Sequence, residues 1–220
     1  MQIIETLKAV GKAFTEFKKS FKFGVDTEEL YIHFKNSLTE SLNDYQIVYD
    51  YIWGKDTLNI DGVTKGYIPK EGDTLIMDVS VGKNGVWCDV CRTFFVGNIS
   101  SEQREVFEMI KASIREGQKA IKKGALASEV YKAVNGVHER QGKTLVHHAG
   151  HKIGESCLMQ PQFLLDNNTA LQVGDFYTVE SGAYQNFGVR LENDFLLTEN
   201  GAEDLFEEIL PLNIEEYLLK

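Results

Sequence analysis

The chain has 220 residues, 43% of them hydrophobic and 25% charged, which is enough apolar sequence to bury the core of one domain. Its formal net charge is −10 at pH 7 and no basic stripe is present, so nucleic acid is excluded as an expected partner. The apolar runs are far too short to cross a bilayer, and the N-terminal stretch lacks the parts of a signal peptide. We therefore expect a cytoplasmic protein without a membrane partner, folded as one domain over residues 1–220.

The first half of the chain predicts two helices followed by a strand hairpin. An amphipathic helix over residues 3–19 is followed by a glycine turn and a capping residue, which open a second helix over residues 26–42. A later turn feeds an apolar strand that carries Asp78, and a turn-like segment over residues 82–85 leads to a second strand that carries Asp89. Two acids, eleven residues apart, therefore lie on neighbouring strands.

The second half repeats this order. Helices are predicted over residues 101–122 and 126–141, and a glycine turn again precedes the second of them. A turn then feeds a strand with Glu180, and the segment 184–188 leads into a strand with Glu192. These acids are twelve residues apart, which indicates an internal repeat of about 100 residues.

Two similar halves predict an α+β fold. If a pseudo-twofold axis relates them, the two hairpins bring their four carboxylates to one shared centre. The four helices would then cover one face of a curved antiparallel sheet, which differs from a wound parallel sheet. A competing interpretation, in which the strand acids face solvent and the match is chance, stays open at this point.

The surroundings of the acids favour burial over solvent exposure. Asp78 lies within the apolar run 75–79, and Glu180 ends the run 176–180. Apolar neighbours of this kind predict strands that are buried on both faces. Four carboxylates buried together repel one another and need protons or cations. We favour bound metal as the neutralising partner.

The three cysteines predict no disulfide framework in a chain of this length. Cys88 and Cys91 have the spacing of half a zinc site, but no second pair exists. Residues three apart on a strand point to opposite faces, which disfavours a shared metal. We expect reduced, partly buried thiols.

His151 stands between the two acid pairs, in a Gly-His-x-Ile-Gly motif over residues 150–154. Residues 82–94 read Gly-x-x-Gly-x-x-x-Asp-x-Cys-Arg-Thr-Phe, and residues 188–194 read Gly-Val-Arg-Leu-Glu-Asn-Asp. This order of motifs resembles the pita-bread metallopeptidases, a family of methionine aminopeptidases, aminopeptidase P, prolidase and creatinase. The Arg-Thr-Phe and Arg-x-Glu forms are similar to the aminopeptidase P and prolidase branch, although Cys91 stands where Thr is usual. The resemblance spans residues 21 to about 198.

The resemblance implies a pita-bread fold that holds two divalent metal ions. The implied ligand set has five members: Asp78, Asp89, His151, Glu180 and Glu192. Asp78 would bind one ion, and Glu180 with His151 the other. Asp89 and Glu192 would bridge the two ions. Four carboxylates balance the charge of two dications, and oxygen-rich ligands with one imidazole suit Mn²⁺ (manganese), Fe²⁺, Co²⁺ or Zn²⁺.

The resemblance also implies a hydrolase of small peptides or peptide-like substrates, in the Xaa-Pro dipeptidase and aminopeptidase class. Divalent metal would activate a water for attack on the substrate carbonyl, and Glu180 would take its proton. His147, four residues before His151, matches a position that helps to recognise substrate in the prolidase branch, so it is a catalytic and substrate-binding candidate. Arg190 is a further substrate-binding candidate. We expect a monomer or homodimer with no separate N-terminal domain.

Two histidines that assist catalysis in family peptidases are missing from this chain. One is expected seven residues after His151, where Leu158 stands. The other is expected 17 or 18 residues before Asp78, where Asp61 and Ile60 stand. Loss of an oxyanion donor costs roughly 10²–10³ in rate, and loss of a general acid roughly 10²–10⁴. We therefore expect poor cleavage of ordinary Xaa-Pro dipeptides and an apolar cavity wall at Leu158.

Alternatives to an ordinary peptidase therefore stay open. Replacement of the missing histidines by Tyr67, Asp61, His147 or Tyr184 would preserve hydrolysis, whereas His148 is assigned a structural role. A non-peptidase enzyme of the creatinase kind is a second possibility, and a metal-binding pseudoenzyme that acts as a binding module is a third. The intact set of five ligands favours an enzyme, although fold analogy does not identify its substrate.

Overall fold

The structure is a computed structural model that describes residues 2–220. The helices are α1 (Gln2–Ser20), α2 (Thr27–Leu42), α3 (Ser101–Ala120) and α4 (Ala127–Glu139). The strands are β1 (Gln46–Trp53), β2 (Thr74–Lys83), β3 (Val86–Val96), β4 (His151–Ile153), β5 (Met159–Gln162), β6 (Phe176–Tyr184), β7 (Gly188–Thr198), β8 (Gly201–Asp204) and β9 (Leu218–Leu219). Short 3₁₀ helices cover Gly54–Leu58 and Ile214–Tyr217.

The helices begin and end within two residues of their predicted bounds. Local capping explains this agreement. Asp26 caps α2 by accepting the backbone N–H of Glu28 at 2.8 Å, and Ser100 forms a capping box with Gln103 at the start of α3. None of the helices within residues 2–220 is long and apolar enough to cross a lipid bilayer.

The strands within residues 2–220 form one sheet in the order β1-β2-β3-β7-β6-β4-β5, with β8 beside β7 and β9 beside β3. Pairings between these strands are antiparallel except for the short one between β3 and β9. α1 packs on β2 and β3 and contacts α2, while α3 packs on β6 and β7 and contacts α4. The α+β class with two similar halves is therefore confirmed.

The sequence patterns do not predict β1, β4, β5, β8 or β9. β1 lies at the sheet edge and is exposed or half-exposed over its first five residues, so its apolar residues give no clean alternation. β4 and β5 have three and four residues, too few for a periodic signal. β1 and β4 matter for the site because each pairs with an acid-bearing strand, β1 with β2 and β4 with β6.

The acid-bearing strands are largely buried on both faces, as predicted. The first hairpin turns at Asn84 and Gly85, whose φ angles of 51° and 76° suit a two-residue type I′ turn. Cys88 and Cys91 join different apolar clusters, in line with opposite faces, but both are fully buried rather than partly buried. β3 is a central strand covered on both sides, which explains this correction.

The two half-sheets meet at a narrow seam between β3 and β7. Within residues 2–220, these strands share a single paired position, Cys91 opposite Glu192. The buried guanidinium of Arg92 crosses this seam, because its Nη1 donates to the carbonyl oxygens of both residues at 2.8 Å. Its Nε donates to the Tyr217 hydroxyl and its Nη2 to the Leu210 carbonyl, both at 2.8 Å. Arg92 therefore ties the C-terminal segment to the seam.

Candidate metal centre

The strand register places five residues in one row across five strands. Asp50 of β1 lies opposite Asp78 of β2, which lies opposite Cys91 of β3. Cys91 lies opposite Glu192 of β7, which in turn lies opposite Glu180 of β6. Directly opposed residues of antiparallel strands share a face. Three predicted ligands therefore share one face with Asp50 and Cys91.

The two remaining predicted ligands join this face from β3 and β4. Asp89 is two residues before Cys91, and residues two apart on a strand share a face. His151 begins β4, and its backbone N–H donates to the Thr178 hydroxyl of β6 at 3.2 Å. Gly150 permits this approach: its φ is +124°, and a Cβ there would collide with the backbone of Thr178.

All five predicted ligands line one cavity of about 230 Å³ on the face that the helices leave free. The lining residues are Val48, Tyr49, Asp50, Ile60, Asp61, Asp78, Ser80, Asp89, His147, His148, His151, Glu180, Arg190 and Glu192. The convergence itself is a property of the structure. The role of each residue as a metal ligand, and those of His147 and Arg190 in catalysis and substrate binding, stay predictions.

Asp89, His151 and Glu192 form the tightest group, with one potential ligand atom from each within 4.8 Å of the others. The Nε2 atom of His151 lies 3.6 Å from Asp89 Oδ2 and 3.9 Å from Glu192 Oε1. Asp89 also accepts the Ser80 hydroxyl at 2.8 Å, and its backbone N–H donates to the buried Asp194 carboxylate. Glu192 Oε1 is buried and receives no hydrogen bond from any of residues 2–220.

Asp78 is held by Arg190. Nη2 of Arg190 lies 3.0 Å from Asp78 Oδ2 and donates to Asp50 Oδ2 at 2.7 Å, while Nη1 donates to the Ile60 carbonyl. The guanidinium side chain is 4% exposed. Two carboxylates and a carbonyl thus engage the group that the sequence predicts to bind substrate.

Glu180 is surrounded by imidazoles. His148 Nδ1 lies 2.7 Å from Glu180 Oε1, and His147 Nδ1 lies 3.6 Å from Glu180 Oε2. His147 Nδ1 also lies 2.6 Å from the carbonyl oxygen of His148, to which it donates, so its Nε2 is free to accept the Tyr184 hydroxyl at 3.2 Å. The Tyr184 ring lies over Gly182, where any side chain would displace it.

Burial sets the charge states of the acids. Burial raises the pKa of Asp89 and of Glu192 well above the usual range, and the neighbouring carboxylates add to the rise. Burial also raises the pKa of Asp78 to about 7, although Arg190 opposes the rise. Burial would raise the pKa of Glu180 as well, but His147, His148 and Arg190 lower it below its usual range.

The donor set fits divalent cations. Burial lowers the pKa of His151 to about 4, so its imidazole is neutral at pH 7 and has a lone pair for a metal. The orphaned oxygen of Glu192 and the mutual repulsion of the buried acids both identify a place for positive charge. Carboxylate oxygens with one imidazole suit the divalent ions that the sequence predicts.

The two positions at which histidines are expected but missing have different surroundings: one lines the cavity and the other does not. Asp61 and Ile60 line the cavity, so the position expected 17 or 18 residues before Asp78 does face the site. Leu158 is 52% exposed and does not line the cavity, so the expected apolar wall is wrong. The reason is that the short β5 and the loop before it carry Leu158 outward. Tyr67 donates to Asp73 and is likewise absent from the cavity lining.

Asp50 and His148 are two of the cavity residues whose place in the site the sequence analysis did not predict. Asp50 lies on β1, which the sequence did not predict, and only the run of apolar and aromatic residues over 47–53 could have marked that strand. His148 was assigned a structural role, yet it contacts Glu180 directly. Its place next to His147 and three residues before His151 was the available signal.

Comparison with known proteins agrees with this geometry. The model of Metallopeptidase family M24 matches residues 2–199, and the chain belongs to this family. An Xaa-Pro dipeptidase of Pyrococcus furiosus is 30% identical over 148 residues, which cover 66% of this chain and 42% of that protein. An uncharacterized peptidase of Staphylococcus epidermidis is 27% identical over 212 residues, which cover 93% of this chain and 60% of that protein.

The fold agrees with that of solved prolidases. The prolidase structure from Pyrococcus furiosus superimposes with a TM-score of 0.87 at 24% identity, covering 93% of this chain and 62% of that chain. The pita-bread fold expected from the sequence is therefore confirmed. The chain spans less than two thirds of the length of these relatives.

Proposed function

We propose that the protein is a divalent-metal-dependent hydrolase of short peptides or peptide-like substrates, related to Xaa-Pro dipeptidases. The observation that carries the proposal is the convergence of Asp78, Asp89, His151, Glu180 and Glu192 on one cavity. Membership of a metallopeptidase family and the similarity to an Xaa-Pro dipeptidase support the peptide substrate. The proposal treats the 220 residues as one catalytic domain, active as a monomer or a homodimer.

The five cavity residues would hold two ions, with Asp89 and Glu192 shared between them. When bound, divalent ions supply Lewis acidity toward a carbonyl oxygen and a nucleophilic water at neutral pH. Glu180 would take the proton from that water, because its lowered pKa keeps it ionised and its oxygens face the cavity. Asp78 would be held in place by Arg190.

The remaining cavity side chains would orient the substrate. His147 is fixed by its contacts with the His148 carbonyl and the Tyr184 hydroxyl, so its ring presents a defined edge beside Glu180. No imidazole stands at position 61, where the family places one by resemblance. We therefore expect slow cleavage of ordinary Xaa-Pro dipeptides, below the usual enzyme range of roughly 1–10³ s⁻¹.

Metal analysis combined with a dipeptide-library assay tests this function. Purified protein loaded with Mn²⁺ or Co²⁺ should bind two ions and hydrolyse some members of the library, and EDTA should abolish the hydrolysis. Asp61→His should raise the kcat of Xaa-Pro hydrolysis, measured at saturating dipeptide, about 10-fold or more, since the position lines the cavity. Leu158→His is the matched control, because that position does not line the cavity and should change the rate little. Protein that binds no metal under any loading condition would refute the proposal.

A second candidate is a metal-binding module without hydrolytic activity. The carboxylate of Asp61 at an expected histidine position is the observation that favours it. The same assay separates the two functions: two bound ions with no turnover across the library would support the module, and EDTA-sensitive turnover would support the hydrolase.

A further inference from the structure

A short loop over residues 59–63 forms one wall of the cavity and is fastened on both sides of Asp61. Before Asp61, the Ile60 carbonyl accepts Arg190 Nη1. After Asp61, the Gly62 N–H donates to Asp50 Oδ1 at 2.9 Å, and the Gly62 carbonyl accepts the Tyr51 N–H at 2.9 Å. The loop that carries Asp61 is therefore held against the cavity by hydrogen bonds to Arg190 of β7 and to β1.

Among the residues that the structure describes, the carboxylate of Asp61 has no positively charged partner, unlike the other acids of the cavity once metal is bound. It lines the cavity, is exposed, and makes no hydrogen bond or ion pair within residues 2–220. Asp50 is paired with Arg190, and the four ligand acids would be balanced by two dications. Asp61 thus leaves one uncompensated negative charge at the cavity wall, which complements a cation.

Apolar side chains line the same cavity as this charge. Val48 is 55% exposed and Ile60, the neighbour of Asp61 in the chain, is 41% exposed. A ligand that fits this wall carries a positive group next to an apolar one. The first residue of a peptide with an apolar side chain has this arrangement, because its α-ammonium group and its side chain share one carbon atom.

We propose that Asp61 anchors the α-ammonium group of the peptide substrate, with Val48 and Ile60 against the side chain of its first residue. The proposal rests on the function proposed above. The α-nitrogen is two bonds from the first carbonyl carbon, so an anchor in the same cavity as the candidate metal centre suits the cleavage of that bond. Where the resemblance predicts an imidazole, this chain therefore carries a selector for a free, apolar amino terminus.

Calorimetric binding of Leu-Pro and N-acetyl-Leu-Pro tests the proposal, with chromatography of the cell contents after each titration to establish that both peptides stay intact. Wild-type protein loaded with Mn²⁺ should bind Leu-Pro about 10-fold more tightly than the acetylated peptide. Asp61→Asn should reduce this ratio to below about 3-fold by weakening Leu-Pro alone. Asp166→Asn is the control, since Asp166 is exposed and lies outside the cavity lining. The ratio should also shrink in 0.5 M salt, a condition in which the Debye length falls to roughly 4 Å.

A ratio that is the same in wild type and Asp61→Asn would overturn the proposal. N-acetyl-Lys-Pro distinguishes the source of the positive charge: Asp61-dependent binding of this peptide, as tight as that of Leu-Pro, would assign the anchor to a side chain and overturn the α-ammonium assignment. The proposed function is judged separately, by metal stoichiometry and turnover. Protein that holds two ions and hydrolyses both Leu-Pro and its acetylated form equally well would keep the function and lose the anchor.

Discussion

The hairpins β2–β3 and β6–β7 each carry two acids, but they hold them in different register. In the first hairpin Asp89 lies opposite Ser80, so its partner acid Asp78 is displaced by two residues. In the second hairpin Glu180 lies directly opposite Glu192. Directly opposed like charges destabilise a strand pair. The second hairpin therefore depends more strongly on a cation than the first.

The groups that neutralise the two acid pairs also differ. Asp78 lies against Arg190, and Asp89 accepts a hydroxyl. Glu180 contacts His147 and His148 from the loop before β4, a segment with no histidine-bearing counterpart before β2. The repeat thus supplies acids in both halves, whereas residues that differ between the two halves decide how each acid is held.

The largest effect is expected from Glu192→Gln, which removes one of the two opposed charges. In the proposed centre Glu192 would serve both ions, so metal affinity should fall at both positions by more than about 100-fold, beyond the range for residues that only support a ligand. Calorimetric titration with Mn²⁺ measures the stoichiometry. Glu199→Gln is the control, since Glu199 forms an exposed pair with Lys123. Two ions bound by Glu192→Gln with wild-type affinity would contradict the shared role.

Metal removal should have the next largest effect. Ligand that binds only the native state at 100 times its Kd adds about 2.7 kcal/mol of stability. For a chain of this size, each kcal/mol shifts Tm by about 2–4 °C, so exhaustive EDTA treatment should lower Tm by about 5–10 °C. Scanning calorimetry of loaded and stripped protein measures the change. An unchanged Tm would count against bound metal.

In the stripped protein, the buried carboxyl group of Asp78 should contribute a loss of stability as pH rises. Asp78 has a pKa raised by burial from 3.8 to about 7, against the opposing charge of Arg190. Between these values the native state keeps a proton on Asp78 that the unfolded chain has released, so the contribution of Asp78 to the free energy of unfolding falls from about pH 4 to about pH 7. Urea denaturation of wild type and Asp78→Asn across this range measures the difference between their slopes. Asp78→Asn should have the less negative slope, and equal slopes would show that Asp78 ionises in the folded state.

Asp50→Asn should have the smallest effect. Arg190 keeps Asp78 as its second carboxylate, and the side chain of Asp50 is 24% exposed, so the loss should be about 1 kcal/mol. Urea denaturation measures this loss against Asp44→Asn, a change at an exposed position. A loss as large as that of Arg190→Met would mean that Asp50, rather than Asp78, is the main partner of the guanidinium.

Sequence reasoning located the helices and the acid-bearing strands because their signals are local. A capping residue such as Asp26 and an apolar run around Asp78 are visible in a short window. Asp50 and the outward position of Leu158 depend on pairing between distant segments, which no local pattern encodes. The contact between His148 and Glu180 likewise joins residues 32 positions apart.

The single paired position at the seam makes the joint between the two half-sheets unlike the joints within them. β2 and β3 are held by a ladder of ten opposed positions, whereas β3 and β7 are held by one. Arg92 therefore resists separation of the halves from the helix side, whereas the acids that both halves contribute on the cavity side would do so only with cations between them. Backbone pairing thus contributes little to the joint between the two half-sheets. Ions shared by Asp89 and Glu192 would connect the half-sheets across this joint, so we expect amide exchange in β2 and in β6 to become a single cooperative event only in the loaded protein.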